Sequence, residues 1–361
     1  MSAMPVIIFT ENSRKSWQTF SEKHFSKRAR LIISSAAVFR YVLPLKYSLP
    51  LKGCSLDNRE GLIVEFKTAQ NNYLYGEAAP LPDFSRESLF EVEGALVSAA
   101  KALLNNQSIP ADLPASVAFA VESALDSNLT KACDNELKVA PLLIGSQSDI
   151  IQRLTSWKGD WPAEFKFKVG RQSVELDIDA TRQILKILPE TVRLRLDANQ
   201  QWSFNQTLNY AKAIPINRVS YIEEPMITAC RNEELYRLSG LGYALDETLQ
   251  SPDYSYCNSE GLKALVIKPT LVGGLSRYQG WINQAQKDGH RIVFSSTFES
   301  HLGVDLIRRL ACQLASDELH GFDTLSAFAY PLCFGLPDQR QRLPQEILNS
   351  MEQIWCSNIA R

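Results

Sequence analysis

Three acidic residues in the middle of the chain, Asp197, Glu223 and Asp246, each sit at the end of a short β-rich run, 26 and 23 residues apart. One strand, a returning helix and two loops fill such an interval, because parallel neighbours need a long crossover. The runs VRLRLDAN (192–199), VSYIEEP (219–225) and YALDE (243–247) belong to a longer series. VAPLLIG (139–145) and EFKFKVG (164–170) precede them; ALVIKP (264–269), RIVFSST (291–297) and LHGFDT (319–324) follow. The stretches between, such as VELDIDATRQILKIL (174–188) and LSRYQGWINQAQ (275–286), repeat apolar residues at helical spacing. Eight strands alternating with helices predict an α/β fold, a (β/α) barrel of ordinary size. A doubly wound open sheet is the alternative, but the first strand–helix junction carries no G-x-G-x-x-G.

In EFKFKVG, Phe165, Phe167 and Val169 alternate with Lys166 and Lys168, the period of a strand. In VRLRLDAN the apolar positions 192, 194 and 196 leave Arg193, Arg195, Asp197 and Asn199 on the other face. Helices cover the outside of a barrel, so the apolar face points out and the charged face points in. Charges inside are expensive unless they bind something or one another. Lys166 and Lys168 therefore read as residues lining the inside of the barrel, near its C-terminal mouth.

Ahead of this series the pattern differs. Residues from about Leu31 to Phe66 are strand-like, with turn residues around Lys52–Gly53 and Asn58–Gly61. The segment YGEAAPLPDFS (75–85) has two prolines, and helical patterns follow at 87–106 and 114–129. Strands followed by helices suggest a small α+β domain. The reading divides the chain into an extension of unknown role (1–32), an α+β domain (33–135), the barrel (136–328) and a C-terminal segment (329–361). A net charge of −2 gives no field to draw nucleic acid, and no apolar run approaches a membrane span. The first thirty residues lack the features of a signal peptide. Seven scattered cysteines without a C-x-x-C pair suggest reduced thiols and a cytoplasmic protein.

Three carboxylates converging from successive strands repel unless a cation sits among them, and all-oxygen ligation suits Mg²⁺, with Mn²⁺ as a substitute. Lys268, 22 residues beyond Asp246, extends the series, so Lys168 and Lys268 flank the acids in strand order. A divalent cation between two lysines suits removal of a proton α to a carboxylate, since the charge then builds on metal-bound oxygens. A lysine serves as base only when burial or neighbouring cations lower its pKa, and Lys168 has Lys166 one pleat away. Glu224 and Glu247 face the other way by strand alternation and read as supporting groups. A Schiff-base aldolase would also place a lysine at a strand end, but has no need of three acids on consecutive strands.

The set K-x-K (166, 168), DAN (197–199), EEP (223–225), LDE (245–247) and KPT (268–270) resembles the muconate-lactonizing subgroup of the enolase superfamily. GEAAPLPDFS, VIKPTLVGG (266–274), SSTFES (295–300) and HGFDT (320–324) are similar to the branch of that subgroup that makes o-succinylbenzoate for menaquinone. The resemblance covers roughly residues 40 to 325. It implies a (β/α)7β TIM-like barrel with an α+β capping domain completed by the C-terminal segment. The implied reaction is dehydration of 2-succinyl-6-hydroxy-2,4-cyclohexadiene-1-carboxylate. The alternative is racemisation of N-acylamino acids or epimerisation of dipeptides. Lys168 would be the base and Lys268 a cation on the opposite face; Lys166 would support them, and Asp197, Glu223 and Asp246 would hold the metal. Arg195, Asn199, the backbone of Ser295, Ser296 and Thr297, and Gly321 are the candidates for lining a pocket for a small carboxylate. Cap loops near 48–58 and 80–88 would close over it. His301 stands where the resemblance implies a smaller residue. No protein partner is evident.

Overall fold

The structure, a computed structural model, describes residues 31–51, 53–130, 136–333 and 341–357. The segment read as an N-terminal extension lies almost wholly outside them.

The first domain is an antiparallel sheet of β1 (Ile33–Pro50), β2 (Ser55–Thr68) and β3 (Tyr73–Ala78), with a C-terminal strand, Glu352–Cys356, paired to the free edge of β1. Leu62, Val64 and Phe66 of β2 pack under the helices Leu89–Leu104 and Ala115–Leu125, whereas Ile63 joins the core shared with the barrel. Both faces of the sheet are covered, which explains why Leu62, Ile63 and Val64 run apolar without alternation. At Gly76 a Cβ would lie 1.9 Å from the Ala120 carbonyl oxygen, so glycine is what lets the second helix seat on the sheet.

Two details depart from the sequence reading. Asn58–Gly61 is no turn; it lies inside β2, opposite Tyr41–Pro44. The region 48–58 is mostly the outer end of the β1–β2 hairpin, whose register shifts between Pro44 and Leu49. Proline and the irregular pairing break the alternation that would have marked it as strand.

The second domain contains β4 (Lys138–Val139), β5 (Leu142–Leu143), β6 (Glu164–Lys168), β7 (Arg193–Asp197), β8 (Val219–Glu223), β9 (Tyr243–Leu245), β10 (Leu262–Ile267), β11 (Arg291–Phe294) and β12 (Leu319–His320). Strands β5 to β11 form one parallel sheet in chain order. Strand β12 pairs with β4, and a parallel bridge from Ser295 to Gly321 links it to the end of β11. The ring thus closes as a TIM-like barrel. VAPLLIG supplies both β4 and β5, because Pro141 has no N–H to continue a ladder.

Phe165, Phe167, Leu194, Leu196, Ile267 and Phe294 turn outward into the main core against the helices. Burying each such side chain contributes about 1.5–3 kcal/mol. A small separate cluster of Tyr221, Ala244, Ala264, Val266 and Val293 fills the inside. Cap and barrel meet at Glu77, whose buried carboxylate accepts from Tyr41 Oη (2.7 Å), from the Ser300 hydroxyl and from the Ser300 and Gly303 amides (both 2.8 Å). Those amides open the helix His301–Leu314, where a carboxylate is favoured.

Cys54, Cys230, Cys257 and Cys356 are free thiols, but Cys312 is disulfide-bonded, contrary to the reading of uniformly reduced cysteines. Among the described residues no helix is long and apolar enough to cross a membrane.

Candidate active site

Register places the charged residues side by side. Lys168 stands opposite Asp197 across β6–β7, and Asp197 stands opposite Glu223 across β7–β8. Glu223 pairs with Ala244, and Asp246 follows two residues later on the same inward face. Lys268 follows the end of β10. All five sit at the C-terminal end of the strands, where barrels carry their chemistry. Lys166, one pleat below Lys168, also points inward.

The contacts form one network. Lys168 Nζ donates to Asp197 Oδ2 and to Asn199 Oδ1, both at 2.6 Å. Lys166 Nζ lies 2.8 Å from Asp197 Oδ2 and also donates to Glu223. Lys268 donates to Asp246. The carboxylates are at most 1% exposed, so three ammoniums balance three anions in a place where unpaired charge would be costly.

The lysines are not equivalent. Burial lowers the pKa of Lys168; Asp197 opposes this, and the neighbouring cations Lys166 and Lys268 add to it, leaving the pKa below the ordinary lysine value. Burial also lowers that of Lys268, but Asp246 and Glu247 outweigh it and hold the group protonated. Lys166 is likewise raised, burial being overcome by Asp197, Glu223 and Asp246 together. One cation therefore feels all three acids.

The carboxylates do not converge on a common point as they stand: among the described residues no three His, Cys, Asp or Glu side chains are grouped to hold a metal ion. Lysine ammoniums take up the facing oxygens. The donor set still fits a hard divalent cation, since it is all carboxylate, and Lys166 already stands as a cation among the three acids.

The remaining sequence candidates divide. Asn199, at a φ of 43°, bridges Lys168 and Glu247, donating to Glu247 Oε1 at 3.0 Å, so it belongs to the site. Ser295, Ser296 and Thr297 lie at the mouth beyond β11; their amides donate to the Ile267 and Gly321 carbonyls and to Glu299, and their hydroxyls are engaged with the Gly321 carbonyl, Thr324 and Glu299. Gly321 leaves room for Ser295, whose Oγ lies 2.6 Å from where a Cβ would be. Arg195 is a correction. It is 1% exposed and reaches the opposite end of the barrel, donating to Glu164, to Glu318 Oε1 (2.9 Å) and to the Leu319 carbonyl (2.7 Å). Arg291 joins Glu164 and Glu318 there, and both guanidiniums lie over the Tyr221 ring. A long side chain can point inward and still run down the barrel, which strand alternation does not reveal.

Glu247 is a supporting group that faces the site and not away from it: its Oε1 accepts from Asn199 Nδ2. Strand β9 ends at Leu245, so alternation no longer governs position 247. Its carboxyl is pushed up to about 7, by burial and then by Asp246. Glu224 does play the supporting part expected of it: Oε1 accepts from the Asp246 and Thr248 amides, both at 2.9 Å, fixing the turn that presents Asp246. His301 opens the helix beyond the mouth with its ring 6.3 Å from Phe328.

This geometry, two lysines flanking three strand-end acids under an α+β cap, defines an enolase-superfamily enzyme. Comparison with known proteins agrees. Residues 33–127 match the family model "MenC, N-terminal domain", and residues 152–331 match "Enolase C-terminal domain-like". A protein of Pectobacterium atrosepticum named o-succinylbenzoate synthase is 33% identical, over 89% of this chain and 98% of its own length. Among solved structures, the o-succinylbenzoate synthase of Thermosynechococcus elongatus BP-1 aligns with a TM-score of 0.68 at 22% identity, over 82% of this chain and 94% of that one. The L-Ala-D/L-Glu epimerase of Bacillus subtilis aligns with a TM-score of 0.69 at 19% identity, over 83% and 92%. The two solved structures share the fold; the sequence relative is close enough to say more. The chain belongs to the o-succinylbenzoate synthase family.

Proposed function

We propose that the protein is a lyase that dehydrates 2-succinyl-6-hydroxy-2,4-cyclohexadiene-1-carboxylate to o-succinylbenzoate in menaquinone biosynthesis. The observation that carries this reading is the pairing of Lys168 with Asp197 and of Lys268 with Asp246 on opposite sides of Glu223. It supports a site with an ammonium on each face of a bound carboxylate.

Lys168, the lysine with the lowered pKa, takes the proton α to the substrate carboxylate. It then returns that proton to the departing hydroxyl. Proton and hydroxyl leave from one face, so a single lysine serves both steps, and the ring becomes aromatic. Lys268, held protonated, faces the other side and stabilises the negative charge that builds on the carboxylate oxygens. Lys166 balances the acids, and Asn199 orients Lys168. Asp197, Glu223 and Asp246 would hold Mg²⁺, or Mn²⁺ in its place, and the bound ion would supply a Lewis acid to the substrate carboxylate. The substrate is a small carboxylate, and a cytoplasmic location suits its place in biosynthesis.

The reaction is tested by following the diene absorbance of the substrate with purified protein and Mg²⁺. Loss of absorbance with formation of o-succinylbenzoate is expected. Deuterium exchange into an N-succinyl amino acid in D₂O, without dehydration, would overturn this reading in favour of a racemase.

A further inference from the structure

Arg59 lies in β2, opposite Leu43 of β1, and is 2% exposed. The partners of its guanidinium are all carbonyl oxygens, drawn from separate segments. Nε donates to Phe298 (3.0 Å), Nη1 to Glu60 (2.7 Å) and Pro80 (2.8 Å), and Nη2 to Ala79. Four of the five N–H donors of an arginine are thereby engaged. Phe298 follows directly on Ser295–Thr297, and its φ of 60° is costly for a residue with a side chain. Ala79 and Pro80 begin the loop after β3, whose Asp83 accepts from the Gly53 amide at the tip of the β1–β2 hairpin (2.7 Å).

We infer that Arg59 is a positioning residue for the substrate pocket: it fixes the lip made by the Ser295–Phe298 segment and the 79–83 loop before substrate arrives. The inference rests on the dehydratase reading above. Arg59 is not among the residues that contact the lysines or the acids, so its loss leaves the chemical step in place. What is lost is the order of the lip, which substrate must then impose on binding. That cost falls on ground state and transition state alike, and so appears in KM and not in kcat.

The test uses Arg59→Lys and Arg59→Gly in the full chain, with melting temperature and steady-state kinetics on the cyclohexadiene substrate. Lysine keeps the charge but cannot span carbonyls in three directions. The expected result for Arg59→Lys is a KM raised at least about tenfold, with kcat within about threefold of wild type. Added ethylguanidinium is expected to lower the KM of Arg59→Gly and leave wild type unchanged. A folded Arg59→Lys variant with unchanged KM would overturn the inference, as would a fall in kcat alone. If Arg59→Gly does not fold, Arg59→Lys decides alone; if neither folds, the residue is structural and the inference fails. Absence of dehydration by wild type would instead defeat the functional reading.

Discussion

Lys166 Nζ lies 2.8 Å from Asp197 Oδ2 and also donates to Glu223, standing where the three strand-end carboxylates can share one positive charge. A divalent cation held by Asp197, Glu223 and Asp246 must take over contacts that Lys166 now makes. Manganese binding, followed by electron paramagnetic resonance, is expected to tighten in Lys166→Met, where the competing ammonium is gone. It is expected to weaken at least about tenfold in Asp197→Asn, Glu223→Gln and Asp246→Asn, the lower bound set by what removing even a supporting group costs a metal site. Unchanged affinity in all three acid variants would place the metal elsewhere.

Arg195 separates stability from catalysis. Its guanidinium is fully buried between Glu164 and Glu318, so Arg195→Met leaves buried carboxylates short of a partner. Breaking such a pair costs about 3–5 kcal/mol. Denaturant unfolding should show that loss, while KM measured on the folded fraction should not move. A raised KM without loss of stability would return Arg195 to the substrate pocket.

Acid should lower stability across two pH windows. His320 is buried: its Nδ1 accepts from the Phe294 amide (3.1 Å), and Nε2 faces the Ala315 carbonyl (3.1 Å), a neutral arrangement. Burial holds its pKa down at about 4, below the ordinary 6.5. The native state thus binds fewer protons than the unfolded state, and stability present above 6.5 is lost as pH falls toward 4. Glu164 acts lower. Its burial raises the pKa, but Arg291 and Arg195 overcome that and hold it at about 2. Its contribution is complete above the unfolded value and disappears as pH falls from about 4.5 toward 2. Melting temperatures between pH 7 and 4.5 should fall less steeply in His320→Gln than in wild type. Parallel curves would show that His320 does not titrate in this window.

The strand-end motifs made the barrel and the lysine–acid series legible, because one face of each strand had to be apolar and the other could then hold only a site. Chain pattern revealed less where that rule lapses. Arg195 points inward as alternation demands, yet its length carries the charge to the far end. Glu247 lies two residues past the end of β9, so the period of two misplaces its side chain. Arg59 and Glu77 act through contacts with residues more than two hundred positions away, and neither lies in a pattern that names its partner. The strand division at Pro141 was also hidden, since a single apolar run serves two neighbours.

The central claim is that Lys168 moves the proton. Dehydration of the cyclohexadiene substrate should be measured in pre-steady state with wild type, Lys168→Ala and Lys268→Ala, each with Mg²⁺ and each shown to be folded. Lys168→Ala is expected to slow the chemical step by about 10²–10⁴-fold or more, the range for a lost general acid–base group. Lys268→Ala should also be slow, through loss of charge stabilisation. Chelation should stop wild type. Turnover by Lys168→Ala at the wild-type rate would contradict the account.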